Sequence, residues 1–501
     1  MFFRTVLRLL TGIIGLMLTS GLTAQDAPAP NFCGYTGMSP WLEWYHDNKD
    51  QIAYDRGADT VWLYVPMTFH LVGNDDGSGY FPIDQAMEAV CSMNRMFEQA
   101  FIEFYLMPGD EFRYHNNTSW NVHDFTAGGQ MIDANRLPGR LNCFIVKDPA
   151  GNCGYAWKDA IVLGKGCSGS KNKTWAHEAG HHFSLPHPFV GWEGEAWDFT
   201  KPAPASIGGR SVEKTDGTNC NNSADRFCDT RPDYLSDRWQ CDPNKESSTI
   251  QRDPNNVQFR SDGSLIMGYS DDQCSDLFTP EQIAAMRNNL TDEHVSYLQT
   301  STPGLRIPKD TLVQLLSPLD TAEVQYNNIV LSWMPVPNAQ YYSVKVALTP
   351  TFGIVLMNAN VTGTSAQVNV TVPANKILYW SVEPYSNWSF CGSSTAPQVG
   401  VFLTKNLSAT NELERHAFAQ LMPNPASGGS NPQLVVNSDE NLDAFLVLHD
   451  AAGRTCYQQQ LRIFNGENRI DIPTNQLENG LYTVSLQNEL GRMVMRLSVV
   501  D

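Results

Sequence analysis

The sequence predicts an α/β (α+β) unit followed by two all-β sandwiches, and three observations predict it. From Thr60 the text runs Val61-Trp62-Leu63-Tyr64-Val65-Pro66-Met67-Thr68-Phe69-His70, Ile83 to Phe101 carries apolar residues at helical spacing, and Phe101 to Leu106 returns to strand chemistry. A strand, helix, strand order of this kind builds an α/β sheet. Val313 to Leu403 holds no convincing helix, only short alternating runs such as Ile329-Val330-Leu331-Ser332-Trp333 and Tyr341-Tyr342-Ser343-Val344-Lys345-Val346 between turn residues, a sandwich pattern. Ala417 to Asp501 repeats that habit with segments such as Ala444-Phe445-Leu446-Val447-Leu448.

The chain of 501 residues is too long for one ordinary domain, and its 42% hydrophobic and 17% charged content belongs to a globular protein. A formal charge of -19 with a pI near 4.9 and no basic run repels phosphate backbones, so nucleic acid is excluded as an expected partner. Residues 1–24 read as a secretory signal peptide: Arg4 and Arg8, an apolar stretch from Leu9 to Leu18, then small residues closing at Thr23-Ala24. That stretch is shorter than the roughly 20 residues a bilayer requires, so no stable transmembrane anchor is expected. Residues 25–62, rich in Pro, Asp and Trp without a sustained period, read as a short, removable leader. The α/β unit then occupies residues 63–300, a Pro-containing linker spans Ser301 to Pro308, and the sandwiches occupy 309–405 and 417–501.

All 11 cysteines follow Ala24, so an oxidising compartment makes disulfides the expectation. Cys91, Cys143, Cys153, Cys167, Cys220, Cys228, Cys241 and Cys274 fall in one region and suffice for four pairs, while Cys33, Cys391 and Cys456 stand alone. Eight cysteines allow about 105 connectivities, so spacing alone does not choose among them.

Chemistry concentrates at Trp175-Ala176-His177-Glu178-Ala179-Gly180-His181-His182-Phe183-Ser184-Leu185-Pro186-His187. On a helix His177 and His181 share a face one turn apart, so both imidazoles reach one Zn²⁺, with Glu178 beside the open coordination position. A continuing helix would carry His187 to the wrong side; the chain must turn first, and Ser184 and Pro186 mark the place. Three neutral imidazoles leave a fourth tetrahedral position for water, which suits hydrolytic rather than structural zinc. Glu178 is then the general base, and peptide-bond hydrolysis is the expected chemistry. His182, rotated about 100° from His181, reads as a packing residue.

These residues resemble the metzincin metallopeptidases, whose extended motif runs His-Glu-x-x-His-x-x-Gly-x-x-His; here Ser184 stands in place of the glycine. Further along, Leu265-Ile266-Met267-Gly268-Tyr269-Ser270-Asp271-Asp272-Gln273-Cys274, then Leu277-Phe278-Thr279-Pro280-Glu281-Gln282, is similar to the pappalysin (ulilysin-like) branch. Tyr64 to His70, Gly154-Tyr155-Ala156 and Asp225 to Thr230 are similar as well. The resemblance spans roughly residues 60 to 295 and implies a metzincin-like catalytic domain of a secreted zinc metalloendopeptidase acting on proteins or peptides. It implies Met267 as the methionine turn under the metal and Tyr269 as a hydrogen-bond donor to the tetrahedral intermediate. It further implies Asp272 at the base of a primed-side pocket for Arg or Lys, and a Cys241–Cys274 disulfide. Cys153 with Cys167 and Cys220 with Cys228 are paired by proximity in sequence. Calcium near the site is also implied, with Asp216, Asp225 and Asp229 as candidate oxygen donors, although surface acidity explains them as easily. Cys33-Gly34 resembles the Cys-Gly latch that silences zymogens of this group, with Phe32 where the family carries arginine.

The first sandwich resembles a fibronectin type III module with Trp333, Tyr379 and Trp380 as core aromatics. The second, from Leu421-Met422-Pro423-Asn424-Pro425 through Ala452-Gly453-Arg454 and Asn479-Gly480-Leu481-Tyr482 to Met493–Val500, resembles the C-terminal sorting domain of the type IX secretion system. That resemblance implies the secretion machinery as a partner, export through the periplasm of a Gram-negative bacterium, and a secreted or cell-surface location. The competing expectation is a catalytically inactive zinc-containing adhesin acting through its β-sandwich; Glu178 beside three ligands disfavours it, because structural zinc needs no base.

Overall fold

The computed structural model describes residues 33–49 except 36, residue 52, residues 60–392, 396–405, 413, 416–427, 431–474, 477–488 and 490–500. The expected signal peptide and much of the expected leader lie outside them. The fold is mixed α/β and mostly strand. The chain divides into two compact units, one formed by Met1–Glu323, Asn327–Val372 and Ile377–Leu403, the other by Val324–Tyr326, Pro373–Lys376 and Thr404–Asp501.

In the first unit Leu63–Gly73 is the central strand of a six-stranded sheet. It pairs in parallel with Ile102–Leu106, Phe112–Asn116 and Leu141–Val146. Ala160–Gly164 continues the parallel order, and Gly154–Trp157 closes one edge antiparallel. Leu63–Gly73 is buried from its second residue onward, as a strand covered on both faces must be. The expected helix runs from Ile83 to Phe97, continues as a 3-10 turn through Ala100 and stops at Phe101, whose φ of 53° breaks the helical path. Helices Ile83–Phe97 and Thr174–His182 pack together beneath the sheet.

The segment read as leader is not featureless. Ser39 caps a helix at Pro40–Asn48 by accepting from the Leu42 amide, and Pro40 takes the first helical position, where a missing N–H costs nothing. Leu42, Tyr45 and His46 are buried, and Asp47 pairs with Arg226 at 2.6 Å. A nine-residue helix is too short to show a period.

The first sandwich belongs to the same unit and is fastened to the α/β sheet. Arg306 grips Glu103 with both nitrogens, at 2.6 and 2.7 Å. Lys345 meets the buried Asp84 at 2.7 Å, and Trp388 stacks on Tyr105 with 4.1 Å between rings. Tyr385 and Phe390 join the core that contains Phe69, Phe97 and Phe104. Cys391, expected to stand alone, forms a disulfide with Cys91 of the Ile83–Phe97 helix, which leaves Cys143 as a buried free thiol. Contiguity in sequence suggested the wrong grouping, because the sandwich folds back onto the helix. Trp333 and Trp380 are fully buried and Tyr379 is half-buried; the Trp380 indole donates to Pro318 O at 2.9 Å.

The second unit holds a three-stranded sheet of Ala417–Met422, Gln433–Ser438 and Gly466–Asp471. A five-stranded sheet contains Ala426–Ser427, Gly491–Val500, Gly480–Asn488, Leu442–His449 and Thr455–Ile463. Leu434, Val436, Leu446, Leu448, Val484 and Leu497 fill the space between them. Asn424 of the Pro-Asn-Pro segment donates to Arg496 O and accepts from the Ser498 amide, tying that loop to the last strand. The Ala452-Gly453-Arg454 turn closes on Asp450, whose carboxylate accepts from the Ala452 and Arg454 amides and the Arg454 side chain.

His70 lies within the central strand, its Nε2 against Asn142 Oδ1 at 3.1 Å and its Nδ1 against His115 at 3.0 Å. Burial first, then His115, pushes its pKa down to about 3. Below pH ~6.5 the unfolded chain therefore takes this proton before the folded one, so stability falls as pH drops from about 6.5 towards 3 and is untouched above. Urea denaturation should give a penalty of roughly 2 kcal/mol at pH 5 relative to pH 7 from this residue. A His70→Gln chain with the same pH dependence as wild type would remove the assignment.

Candidate metal centre

The helix Thr174–His182 is buried along its whole length, with Trp175, Ala176 and Ala179 in the core and His177 and His181 on one face. Its end brings the third histidine in. Ser184 adopts φ 70°; its amide bonds His181 O at 2.9 Å, and the Leu185 amide bonds Gly180 O at 3.0 Å. This is the Schellman closure, usually made by glycine. Serine costs about 1 kcal/mol in that conformation, offset here because its hydroxyl accepts from the Asn289 side chain at 3.0 Å. The reversed chain delivers His187, 1% exposed, opposite the helix.

The three Nε2 atoms lie 3.1, 3.1 and 3.3 Å from one another. A tetrahedral ion with bonds of about 2.0–2.1 Å holds its nitrogens roughly 3.3 Å apart. The Cys33 Sγ joins them, all four ligand atoms lying within 4.8 Å of each other; among the described residues this is the one such group. A buried Cys/His3 set of this kind could hold a metal ion. Burial drives the pKa of each histidine down, His177 to about 4, so all three are neutral and ready to ligate.

The outer nitrogens are also placed. His177 Nδ1 faces Ile266 O at 2.7 Å and His181 Nδ1 faces Leu185 O at 2.7 Å. Such contacts fix the tautomer that points Nε2 inward. Ile266 precedes Met267, which lies under the helix against Gly180; a Cβ at Gly180 would collide with the Met267 sulfur.

Cys33 reaches the centre as an added strand residue. It bridges Gly154 in parallel, and the Gly34 amide donates to Gly154 O at 3.0 Å. Its thiol lies 3.4 Å from Glu178 Oε2, and the Tyr35 ring stacks on His181 at 4.3 Å. Glu178 is 0% exposed; burial pushes its carboxyl up to about 8 despite the Cys33 contact. Burial, then the neighbouring Glu178, also drives the Cys33 thiol up. The Tyr269 hydroxyl accepts from the Cys33 amide at 3.2 Å, on the same side as Glu178.

Asp272 sits at the margin, its carboxylate held by Arg238 at 2.7 Å and Asn172 at 3.0 Å. Asp216, Asp225 and Asp229 do not share one site: Asp216 accepts from Thr218, Asp225 is buried and bonded to Phe227 and Thr230, and Asp229 accepts from the Glu281 amide. Cys153–Cys167, Cys220–Cys228 and Cys241–Cys274 are bonded. His182 packs against His294 and Tyr297. Two neighbours escaped sequence reasoning, Tyr35 and Glu193; each is one polar residue in an aromatic-rich stretch, with no spacing to mark it.

Residues 420–500 match the family described as Secretion system C-terminal sorting domain. The second sandwich is accordingly a sorting domain of type IX secretion, which implies that machinery as a partner and a secreted or cell-surface destination. Among the described residues no helix is long and apolar enough to cross a membrane. No curated protein matches the chain. Among solved structures it is similar to the BSP domain of a biofilm associated protein, at 14% identity over 38% of this chain and 29% of that one, with a TM-score of 0.17. A Fn3-like protein from Clostridium thermocellum matches at 18% identity over 20% of this chain and 98% of that one, TM-score 0.16. The FN1-FN3 domains of chicken CNTN1 match at 12% identity over 39% and 69%, TM-score 0.17.

Gly154 supports the centre from the edge strand: an added Cβ would lie 2.8 Å from Glu178 Oε1 and 3.0 Å from its Cδ. Gly154→Ala should therefore destabilise the full chain by about 1–3 kcal/mol through overpacking. An unchanged thermal midpoint would show that the carboxyl is not packed there.

Proposed function

We propose that the chain is a zinc-dependent endopeptidase of metzincin type, related to the pappalysins, held silent by its leader and exported through the periplasm of a Gram-negative bacterium. The observation that carries the reading is the convergence of three Nε2 atoms beside a buried carboxyl and a thiol. His177, His181, His187 and Cys33 would hold zinc, which a histidine and thiolate donor set favours, and the bound ion would supply Lewis-acid chemistry for hydrolysis.

The chain's own residues do the rest. With Cys33 in place its sulfur fills the position water needs and lies 3.4 Å from Glu178 Oε2, so the base is shut off from water together with the ligand position. Removing the leader exposes Glu178 to solvent and relieves the burial that raises its pKa. Glu178 then takes the water's proton and returns it to the leaving amine. Tyr269, freed from the Cys33 backbone, has its hydroxyl available to donate to the oxygen that becomes negative in the transition state. The edge strand Gly154–Trp157, which the leader pairs with, becomes free to pair with a substrate backbone.

Asp272 supports a preference for Arg or Lys on the primed side, with Arg238 as its internal partner until substrate arrives. A substrate guanidinium would share that carboxylate in place of Arg238.

Casein hydrolysis should be negligible for the full chain and appear after the leader is removed by limited proteolysis. Glu178→Ala, processed alike, should keep its zinc and lose about 10²–10⁴-fold in kcat. Equal activity in both would end the proposed mechanism, and absence of zinc from the purified protein would end the metal assignment. On a peptide library the processed wild type should cut before basic residues and Asp272→Ala should not; an unchanged profile would discard the pocket.

A further inference from the structure

We propose that Glu193 is a positioning residue for His187, fixing the ring tautomer and orientation of the third ligand; this rests on the reading of His177, His181 and His187 as a metal site. His187 differs from the other two. No carbonyl meets its Nδ1; instead Glu193 Oε1 lies 3.6 Å away, in a contact just outside hydrogen-bond length. Both atoms are buried, and neither has a hydrogen-bond partner. The other carboxylate oxygen, Oε2, accepts from the Gly191 amide at 2.7 Å, which fixes the direction in which Oε1 points.

The local chain is built to hold that geometry. Gly191 takes φ 97°, and a Cβ added there would lie 3.0 Å from Ile207 O, so the turn between ligand and carboxylate favours glycine. The His187 ring is fixed from its flanks by Phe189 at 4.5 Å and Tyr269 at 4.8 Å, which leaves its outer edge facing Glu193.

The chemistry requires a carboxylate. Nε2 offers a lone pair to a metal only when the proton sits on Nδ1, and Nδ1–H needs an acceptor. The Gly191 amide needs an acceptor too. Glu193 has two acceptor oxygens, one bonded to the amide and the other directed at the ring nitrogen 3.6 Å away; a glutamine has one and must turn its NH₂ toward either the amide or the ring. Turned toward the ring, that NH₂ favours the tautomer with the proton on Nε2, which blocks ligation. A buried anion beside His187 also strengthens its donation to a cation more than a neutral carbonyl does.

Metal-free full chain should be titrated with Zn²⁺ against a chromophoric chelator, for wild type, Glu193→Gln, Glu193→Ala and His187→Ala, alongside the thermal midpoint of each metal-free protein. Glu193→Gln and Glu193→Ala should lose roughly 10–100-fold in zinc affinity, with metal-free midpoints close to wild type. Co²⁺-loaded Glu193→Gln should show visible absorption bands shifted from those of wild type, which a purely structural role would not produce. Wild-type zinc affinity in both Glu193 variants, with His187→Ala impaired, would overturn the positioning role and leave the metal site intact. Failure of wild type itself to bind zinc would instead overturn the reading beneath it.

Discussion

The whole first unit is arranged around a local electrostatic conflict: three imidazole lone pairs directed at one point from 3.1 to 3.3 Å apart. Rings so placed could hold a cation between them. Each surrounding feature keeps the rings from turning away. Ile266 and Leu185 hold two outer nitrogens, and Ser184 reverses the chain so that the third ring faces back. Gly180 lets Met267 rise against the helix from below. The sheet matters because it fixes the helix; the Cys91–Cys391 disulfide and the Arg306–Glu103 fork matter because they fasten the sandwich to the helix and sheet that carry the centre.

Much of this was legible in the text. Spacing of four residues puts His177 and His181 on one face whatever the rest of the chain does, and the need for a reversal before His187 follows from helix geometry alone. Alternation and buried tryptophans gave the sandwiches in outline, because strand periodicity survives in a single sequence. The Cys91–Cys391 link was not legible. Disulfide partners are set by tertiary packing, and a separation of 300 residues leaves no local trace. Glu193 was hidden for a similar reason: its meaning lies in an atom of His187 that only folding brings near. Ser184 was legible as a departure from glycine, but its compensation by Asn289 was not, since that residue comes from the distant helix Pro280–Asp292.

The segment 33–35 meets the centre at four points. Its Cys33 thiol meets Glu178, its Cys33 backbone meets Tyr269, its Gly34 amide meets Gly154, and Tyr35 covers His181. The helix Pro40–Asn48 then anchors the segment elsewhere, through Arg226 and Lys49–Glu281. Two anchorages on one short segment act by effective concentration, so the weak thiol contact need not be strong by itself. Cutting between them would remove that advantage without altering either contact.

The same burial resolves a difficulty in the chain's oxidation. Eight cysteines are paired in four disulfides, so the protein matures where thiols are oxidised, yet Cys33 remains a thiol. Exchange needs an exposed thiolate. Cys33 is 1% exposed, so an incoming thiol or disulfide has no path to its sulfur. Under the proposed reading a docked leader therefore protects its own latch, whereas an undocked one would present an accessible thiol to every forming disulfide. Under the proposed reading, docking must precede oxidation of the neighbouring pairs, and a chain in which it does not would trap Cys33 in the wrong bond and leave the centre open. Under the same reading the C-terminal sorting domain makes that order consequential, because a chain bound for secretion would meet oxidising conditions on its way.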